Sequence, residues 1–198
     1  MSLSSDGFEV LPWKYPERDD KNQTKSVRIE DFWHFMPTLN GTNLRYWGGV
    51  IVTKTPFEAA RAWHQDWWAW QFDCSQAEKP PQIAIFWYPQ ETTRQNGCLR
   101  VVPGSHRKHC HVHDLYDHEK QTFSGQTCGE IDVPAGPNDL ILIDARLMHA
   151  THPNNSSQTR LCFVFWYHPD FDNLDPALKC HIEGAGYPVE VDFKPRFT

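Results

Sequence analysis

Residues 63–70 read Trp63-His64-Gln65-Asp66-Trp67-Trp68-Ala69-Trp70 and contain the most informative pattern of the chain. On an extended backbone residues i and i+2 point to the same face, so His64 and Asp66 can converge on one metal ion. With a second imidazole they would form a two-His, one-carboxylate ligand set, which suits non-haem Fe(II) because adjacent coordination positions stay open. By itself His-x-Asp is weak evidence, since a strand-end histidine hydrogen-bonded to a carboxylate has the same pattern.

Short runs with β-strand character lie on both sides of this motif. Clusters of Pro, Gly, Asn and Asp separate these runs, and no long amphipathic helix lies between them. The sequence contains no internal repeat. Many short strands with little helix between them favour an antiparallel sandwich or barrel over a parallel α/β sheet. The sequence therefore predicts an all-β core. The runs are residues 44–54, 82–88, 98–102, 130–133, 139–143 and 159–167.

The length of 198 residues suits one domain with a substantial core. We expect residues 1–198 to form a single domain in three parts. Residues 1–42 are predicted to be a short, irregular or partly helical N-terminal segment, residues 43–168 the β-rich core with minor helices, and residues 169–198 a C-terminal tail. Residues 106–126 are rich in His and charge and are expected to form a long loop over the mouth of the barrel.

Charge and composition exclude several classes of function. Lys and Arg number 19 against 25 Asp and Glu, and the resulting net charge of −6 disfavours a nucleic-acid partner. No apolar run of about 18 residues could span a bilayer, and residues 1–13 lack the pattern of a secretory signal. We therefore expect a cytoplasmic protein without a membrane partner. The six cysteines include no Cys-x-x-Cys pair, so reduced thiols are expected.

A further histidine and an arginine follow the apolar run at residues 140–143. His149 and Arg160 flank one turn, and Arg160 begins the last β-like run. If the two flanking strands pair, Arg160 can lie beside the metal site and hold the carboxylate of an iron-chelated 2-oxo acid by two hydrogen bonds. Taken singly, Arg160 also fits a surface ion pair, and His149 fits a buried histidine bonded to the backbone.

Three blocks of the sequence support one another. They are Trp-His-Gln-Asp-Trp at residues 63–67, Asn-Gly-Cys-Leu-Arg-Val-Val-Pro-Gly-Ser-His at residues 96–106, and His149 with Asn154 and Arg160. In this order the blocks resemble the phytanoyl-CoA dioxygenase family of Fe(II)/2-oxoglutarate oxygenases, which also includes ectoine hydroxylases. The chain is identified as a member of this family on that resemblance.

The resemblance implies a double-stranded β-helix, that is, a cupin-like jelly roll. It implies that His64, Asp66 and His149 hold iron, that Arg160 binds 2-oxoglutarate, and that O2 is consumed. His152 competes as the distal ligand, but only His149 has the family's spacing to the arginine. Further residues that the resemblance assigns to the cosubstrate site are Thr151, Phe86 and Lys54.

The implied reaction is hydroxylation of an aliphatic carbon in a small molecule, with release of succinate and CO2. The carboxylate of Asp66 disfavours halogenation, because the related halogenases carry a small residue there so that chloride can bind iron. Desaturation, cyclisation and epoxidation stay open, as does a catalytically weak jelly-roll protein that only binds metal. Trp67 and Trp70 are candidate substrate contacts, although a strand-borne Trp is as often a core residue.

The iron motif begins earlier in this chain than in most members of the family. The longer N-terminal region of those members backs the barrel and contributes to the substrate and cosubstrate pocket. A compact variant, an incomplete gene product and a pocket completed by a homodimer are all open on this evidence.

Overall fold

The computed structural model describes residues 6–12, 45–110, 116–117, 122–123 and 129–184, within which eleven strands and one α-helix form. The strands are β1 (Phe8–Pro12), β2 (Arg45–Lys54), β3 (Arg61–His64), β4 (Ile83–Trp87), β5 (Leu99–Val101), β6 (Tyr116–Asp117), β7 (Thr122–Phe123), β8 (Ile131–Val133), β9 (Asp139–Asp144), β10 (His149–Thr151) and β11 (Arg160–His168). The helix α1 spans Pro176–Gly184, and short 3-10 helices span Asp73–Gln76, Arg94–Asn96, Ser105–Arg107 and Phe171–Asn173.

Two antiparallel sheets pack face to face. The five-stranded sheet has the order β1-β9-β4-β11-β2, and the four-stranded sheet has the order β3-β10-β5-β8. Apolar side chains from both sheets meet in one buried core, as expected for layers that each have an apolar face. This arrangement confirms the predicted all-β jelly roll. Core members from the two sheets include Phe86, Ile141, Ile143 and Val164 on one side and Leu99, Val101 and Val133 on the other.

The central position of β9 explains its uninterrupted apolar run. The strand lies between β1 and β4, so both of its edges are paired. Ile141 and Ile143 belong to the core between the sheets, and Leu140 and Leu142 are also at most 1% exposed. A strand that is buried on both faces reads as continuous apolar sequence rather than as an alternation.

The N-terminal segment differs from its prediction at residues 8–12. These residues were expected to be irregular or partly helical, but they form β1, in which Phe8 pairs with Ile143 and Val10 pairs with Ile141. A five-residue strand carries little pattern of its own, and its conformation is decided by pairing with β9. Residues 13–42 of the predicted segment lie outside the described residues.

Two further predicted regions are described in part. Within the predicted loop at residues 106–126, β6 and β7 pair with each other, and residues 111–115, 118–121 and 124–126 lie outside the described residues. In the C-terminal tail, helix α1 packs Leu178 and Ile182 into a second apolar cluster. No helix within the described part of the chain is both long and apolar enough to cross a membrane.

Candidate active site

The pairing of β3 with β10 builds the centre of the site. His64 ends β3, His149 begins β10, and the two residues lie opposite each other, with ring centroids 4.2 Å apart. Asp66 follows two residues after β3, and its Oδ1 lies 3.4 Å from Nε2 of His64 and 3.8 Å from Nε2 of His149. The three ligand atoms all lie within 4.8 Å of one another, so they could hold one divalent cation.

Backbone carbonyls orient both imidazoles. Nδ1 of His64 lies 2.9 Å from the carbonyl oxygen of Ala62, and Nδ1 of His149 lies 3.0 Å from that of Leu147. A protonated Nδ1 donates to the carbonyl in each case, which directs Nε2 of each ring towards Asp66. Such a hydrogen bond at the ring nitrogen that does not bind the metal is typical of metal-binding histidines, because it fixes the tautomer and the orientation of the ring.

One oxygen of Asp66 is held by an indole from the opposite sheet. Nε1 of Trp166 donates to Oδ2 of Asp66 over 2.8 Å, so Oδ1 faces the two imidazoles. Burial by itself would raise the pKa of Asp66, but the imidazoles of His149 and His64 together with the indole N–H outweigh burial and lower the pKa to about 2. Asp66 is therefore a carboxylate at neutral pH.

The two imidazoles titrate differently. Burial lowers the pKa of His149 to about 4, so its ring is neutral at pH 7, as a metal ligand must be. Burial also acts to lower the pKa of His64, but the hydrogen bond and the charge of Asp66 outweigh it and raise the pKa. A cation bound at Nε2 of His64 would displace the proton that Asp66 favours there.

The three side chains line a cavity of about 480 Å³, including the space at its mouth. Strand β11 contributes every second residue to the cavity wall, because side chains alternate between the two faces of a strand. The neighbouring strand β2 adds Val50 and Val52, which pair with cavity residues of β11. The contributing residues of β11 are Arg160, Cys162, Val164 and Trp166.

Arg160 is a buried cation that forms no ion pair within the described residues. The residue is 2% exposed, and its guanidinium lies 5.3 Å from the centroid of the Tyr88 ring. Its Nε has no hydrogen-bond partner, and none of the ion pairs formed within the described residues includes Arg160. Because an unpaired buried charge is costly, this guanidinium fits an anionic ligand, such as the carboxylate of a 2-oxo acid, in the cavity.

Lys54 and Thr151 form a pair next to Arg160. Lys54 lies opposite Arg160 in the β2–β11 register, and its Nζ donates to the carbonyl of Ala59 over 2.7 Å and to Oγ1 of Thr151 over 3.2 Å. Burial and the positive charge of Arg160 lower the pKa of Lys54. Thr151 lines the cavity, whereas Lys54 is not among the cavity residues. Lys54 would therefore act on a bound cosubstrate through Thr151.

The aromatic residues predicted to lie near the site differ in their placement. Phe86 lines the cavity and packs edge-on against His149, with ring centroids 5.7 Å apart. Trp67 is 1% exposed, packs in the apolar cluster that includes α1 and does not line the cavity, so its substrate role stays a prediction that this placement does not support. Trp70 stacks on His109 at 4.9 Å and does not line this cavity either, and its substrate role stays a prediction.

Trp166 and Arg61 are among the cavity residues that were not found from the sequence. Trp166 could have been found from the period-two pattern of β11, since it lies on the same face as Arg160. Arg61 is exposed, lies opposite Thr151 across the β3–β10 pair and lines the same cavity. Arg61 precedes His64 by three residues, and only the register of β3 against β10 shows that it lies at the cavity.

A jelly roll that holds two histidines and a carboxylate in one cavity with an unpaired buried arginine is typical of the non-haem iron oxygenases that use a 2-oxo acid. A family profile described as phytanoyl-CoA dioxygenase (PhyH) matches residues 18–162. The chain belongs to this family, which confirms the membership predicted from its three sequence blocks.

Individual relatives agree with this assignment. The chain is 27% identical over 156 residues to a "Probable alpha-ketoglutarate-dependent hypophosphite dioxygenase" of Stutzerimonas stutzeri, a match that covers 71% of this chain and 51% of the relative. This chain thus spans about half the length of that relative. Two solved structures share the fold: AviO1 from Streptomyces viridochromogenes Tue57 (TM-score 0.55, 22% identity, covering 88% of this chain and 76% of that one) and EctD from S. alaskensis with bound Fe (TM-score 0.52, 23% identity, 66% and 46%).

Proposed function

We propose that this chain forms the catalytic centre of an Fe(II)/2-oxoglutarate-dependent oxygenase that acts on a small molecule. One observation carries the proposal: a single cavity holds both a three-ligand metal set and a buried guanidinium that forms no ion pair within the described residues. The α-ketoglutarate dependence named for the S. stutzeri relative supports the same cosubstrate. The cofactors predicted from the sequence, Fe(II), 2-oxoglutarate and O2, agree with both points.

The metal-binding role belongs to His64, Asp66 and His149. Iron supplies the oxygen chemistry when it is bound, with 2-oxoglutarate as the source of electrons. The two histidines present neutral nitrogens, and Asp66 contributes one negative charge, so part of the ion's charge remains for an anionic cosubstrate. Trp166 keeps the carboxylate of Asp66 oriented by holding the oxygen that does not face the imidazoles.

The cosubstrate-binding role belongs to Arg160 and Thr151. The guanidinium fork of Arg160 can bind a carboxylate by two parallel hydrogen bonds. Lys54 has only donors, so Oγ1 of Thr151 accepts from it and the hydroxyl proton of Thr151 is left to donate to the same carboxylate. Phe86 packs against His149 and covers the metal ligand with apolar surface, which helps to exclude water.

We infer hydroxylation of an aliphatic carbon, with release of succinate and CO2, as the outcome. The retained carboxylate of Asp66 supports it, and the apolar cavity walls suit a substrate with a hydrocarbon portion. Desaturation, cyclisation or epoxidation would use the same protein residues. A protein that only binds metal is disfavoured, because such a role would not need the unpaired guanidinium of Arg160. A homodimer and a cytoplasmic location stay predictions.

An anaerobic titration tests the proposal. Purified apoprotein receives Fe(II) and then 2-oxoglutarate, and the visible charge-transfer band of the chelate is followed. We expect a band in the parent protein, no band in His149→Ala, and a band that demands far more 2-oxoglutarate in Arg160→Met. Arg107→Met is the matched control, because it removes an exposed arginine that does not line the cavity. A folded, iron-loaded parent without a band would refute the proposal.

A further inference from the structure

A second group of metal-binding side chains lies outside the cavity. Cys98, Asp132 and His152 each offer one ligand atom, and these atoms lie within 4.8 Å of one another. They come from three neighbouring strands of the four-stranded sheet: Cys98 precedes β5, Asp132 lies in β8, and His152 follows β10. The pairing of β5 with β10 continues to Cys98 and His152, since the amide N–H of His152 donates to the carbonyl of Cys98 over 3.1 Å.

Strand alternation places this cluster on the face of the sheet opposite to the cavity. Leu99 pairs with Thr151, and both line the cavity. Cys98 and His152 are the next residue in each of these two strands, so their side chains point to the other face. Leu99 pairs with Val133 of β8, so the side chain of Asp132, one residue before Val133, points to the same face as Cys98 and His152. The second cluster and the iron ligands therefore lie on opposite faces of one sheet.

The cluster has a buried wall and an accessible rim. Cys98 is 0% and His152 4% exposed, and Cys98 is a free thiol. Oδ1 of Asp132 lies 2.5 Å from Nε2 of His152, and the side chain of Asp132 is 31% exposed. The other oxygen of Asp132 lies 3.3 Å from Arg94, whose side chain is 71% exposed and free to move aside. An ion can therefore enter at Asp132 and reach the sulfur and the imidazole.

We propose that Cys98, Asp132 and His152 bind a zinc-type divalent cation, separate from the iron centre. A thiolate, a carboxylate and an imidazole form a mixed ligand set that Zn²⁺ accepts, and water can complete its four-coordinate shell. The two negative charges balance the ion. The iron ligands of the cavity include no sulfur, so the two sites differ in the metals that they favour.

Binding at this site would affect the sheet that carries the iron ligands. One ion would link β5, β8 and β10, and β10 begins with His149. Burial raises the pKa of the Cys98 thiol to about 11, so the ion displaces the thiol proton when it binds. Without the ion, His152 and Asp132 form a simple hydrogen-bonded pair in which Cys98 takes no part, and this is the competing explanation of the cluster.

Cobalt spectroscopy on the full chain separates these explanations. Co²⁺ bound to a thiolate gives a near-ultraviolet charge-transfer band, which a site made only of nitrogen and oxygen ligands does not give. We expect one equivalent of Co²⁺ to produce this band in the parent chain and Zn²⁺ to abolish it by displacement. The band should persist in His149→Ala, because that variant removes only an iron ligand. This readout does not depend on iron, 2-oxoglutarate or turnover.

Matched variants identify the ligands. Cys98→Ser should lose the band, while Cys162→Ser, which alters another buried thiol of the described residues, should keep it. Asp132→Asn should bind Co²⁺ at least about tenfold more weakly. Because its side chain is partly exposed and the change is isosteric, this variant serves as the test if Cys98→Ser does not fold. No thiolate band in the parent at saturating Co²⁺, or a band unchanged in both Cys98→Ser and Asp132→Asn, would overturn the proposal.

Discussion

Replacing Arg160 by Met is expected to weaken cosubstrate binding and to stabilise the ligand-free protein. Methionine has a similar length but carries no charge. Arg160 and Lys54 lie opposite each other, are 2% and 3% exposed, and have no ion pair within the described residues. The ligand-free protein therefore holds two neighbouring buried cations beside the metal site, and the substitution removes one of them.

The magnitudes follow from the environment of the guanidinium. Truncating one partner of a buried, hydrogen-bonded charge pair costs about 3–5 kcal/mol of binding free energy, which corresponds to roughly 150-fold to 5000-fold in Kd. In the ligand-free protein the change removes a buried charge that forms no ion pair within the described residues, but it loses the contact with Tyr88, worth about 0.5–2 kcal/mol. We expect a net gain of about 1–2 kcal/mol in the free energy of unfolding, or a rise of about 2–8 °C in Tm.

Two measurements on the same preparations check this prediction. Urea unfolding of metal-free protein gives the stability change, and anaerobic titration of the iron-loaded protein gives the affinity for 2-oxoglutarate. Arg107→Met, at an exposed position, should change neither quantity appreciably. A loss of more than about 1 kcal/mol of stability in Arg160→Met, combined with unchanged 2-oxoglutarate affinity, would show that the protein itself neutralises this guanidinium and would refute the reasoning.

Three further substitutions probe the supports of the site. Trp166→Phe removes the hydrogen bond to Asp66 but keeps an aromatic ring. It should weaken Fe(II) binding about 10–100-fold in a competition assay with a metal-sensitive dye. Its free energy of unfolding should stay within about 2 kcal/mol of that of the parent protein. Arg146→Met leaves the carboxylate of Asp144 buried without the guanidinium that lies 2.6 Å away, so the free energy of unfolding in urea should fall by about 3–5 kcal/mol; a neutral effect would contradict this account. His149 has a pKa lowered to about 4 by burial, so between pH 6.5 and 4 the unfolded chain binds a proton that the folded chain does not, and metal-free protein should lose about 3 kcal/mol over that range. In His149→Gln this part of the pH dependence of unfolding should be absent.

The fold class could be predicted from the sequence because most of its strands carry their own pattern. Six predicted runs correspond to β2, β4, β5, β8, β9 and β11. The strands without such a pattern were β1, β3 and β10, of five, four and three residues, and β6 and β7, of two residues each. Pieces this short are specified by their neighbours in the sheet rather than by hydrophobic periodicity. Two of them carry His64 and His149, so the sequence showed the ligands more clearly than the strands that hold them.

The roles of the tryptophans show where prediction from sequence ends. Trp67 follows directly after Asp66 in the chain but is a core residue, whereas Trp166 lies 100 positions away and hydrogen-bonds that carboxylate. Composition treats the two residues alike. The register of β11 against β2 and β4 turns Trp166 towards the cavity, whereas Trp67 follows β3 and packs in the apolar cluster that includes α1. A shift of one residue in that register would turn Trp166 and Arg160 away from the cavity.

The packing of the two sheets is itself part of the site. Of the proposed metal ligands, His64 and His149 belong to the four-stranded sheet and Asp66 follows its strand β3, while Arg160 belongs to the five-stranded sheet. Two hydrogen bonds cross between the sheets beside the cavity, from Trp166 to Asp66 and from Lys54 to Thr151. A 2-oxo acid held at iron and at Arg160 would add a third link across the same gap. Such a ligand stabilises the folded state by about 2.7 kcal/mol at a hundredfold excess over its Kd, and most of this gain should disappear in Arg160→Met at the same ligand concentration.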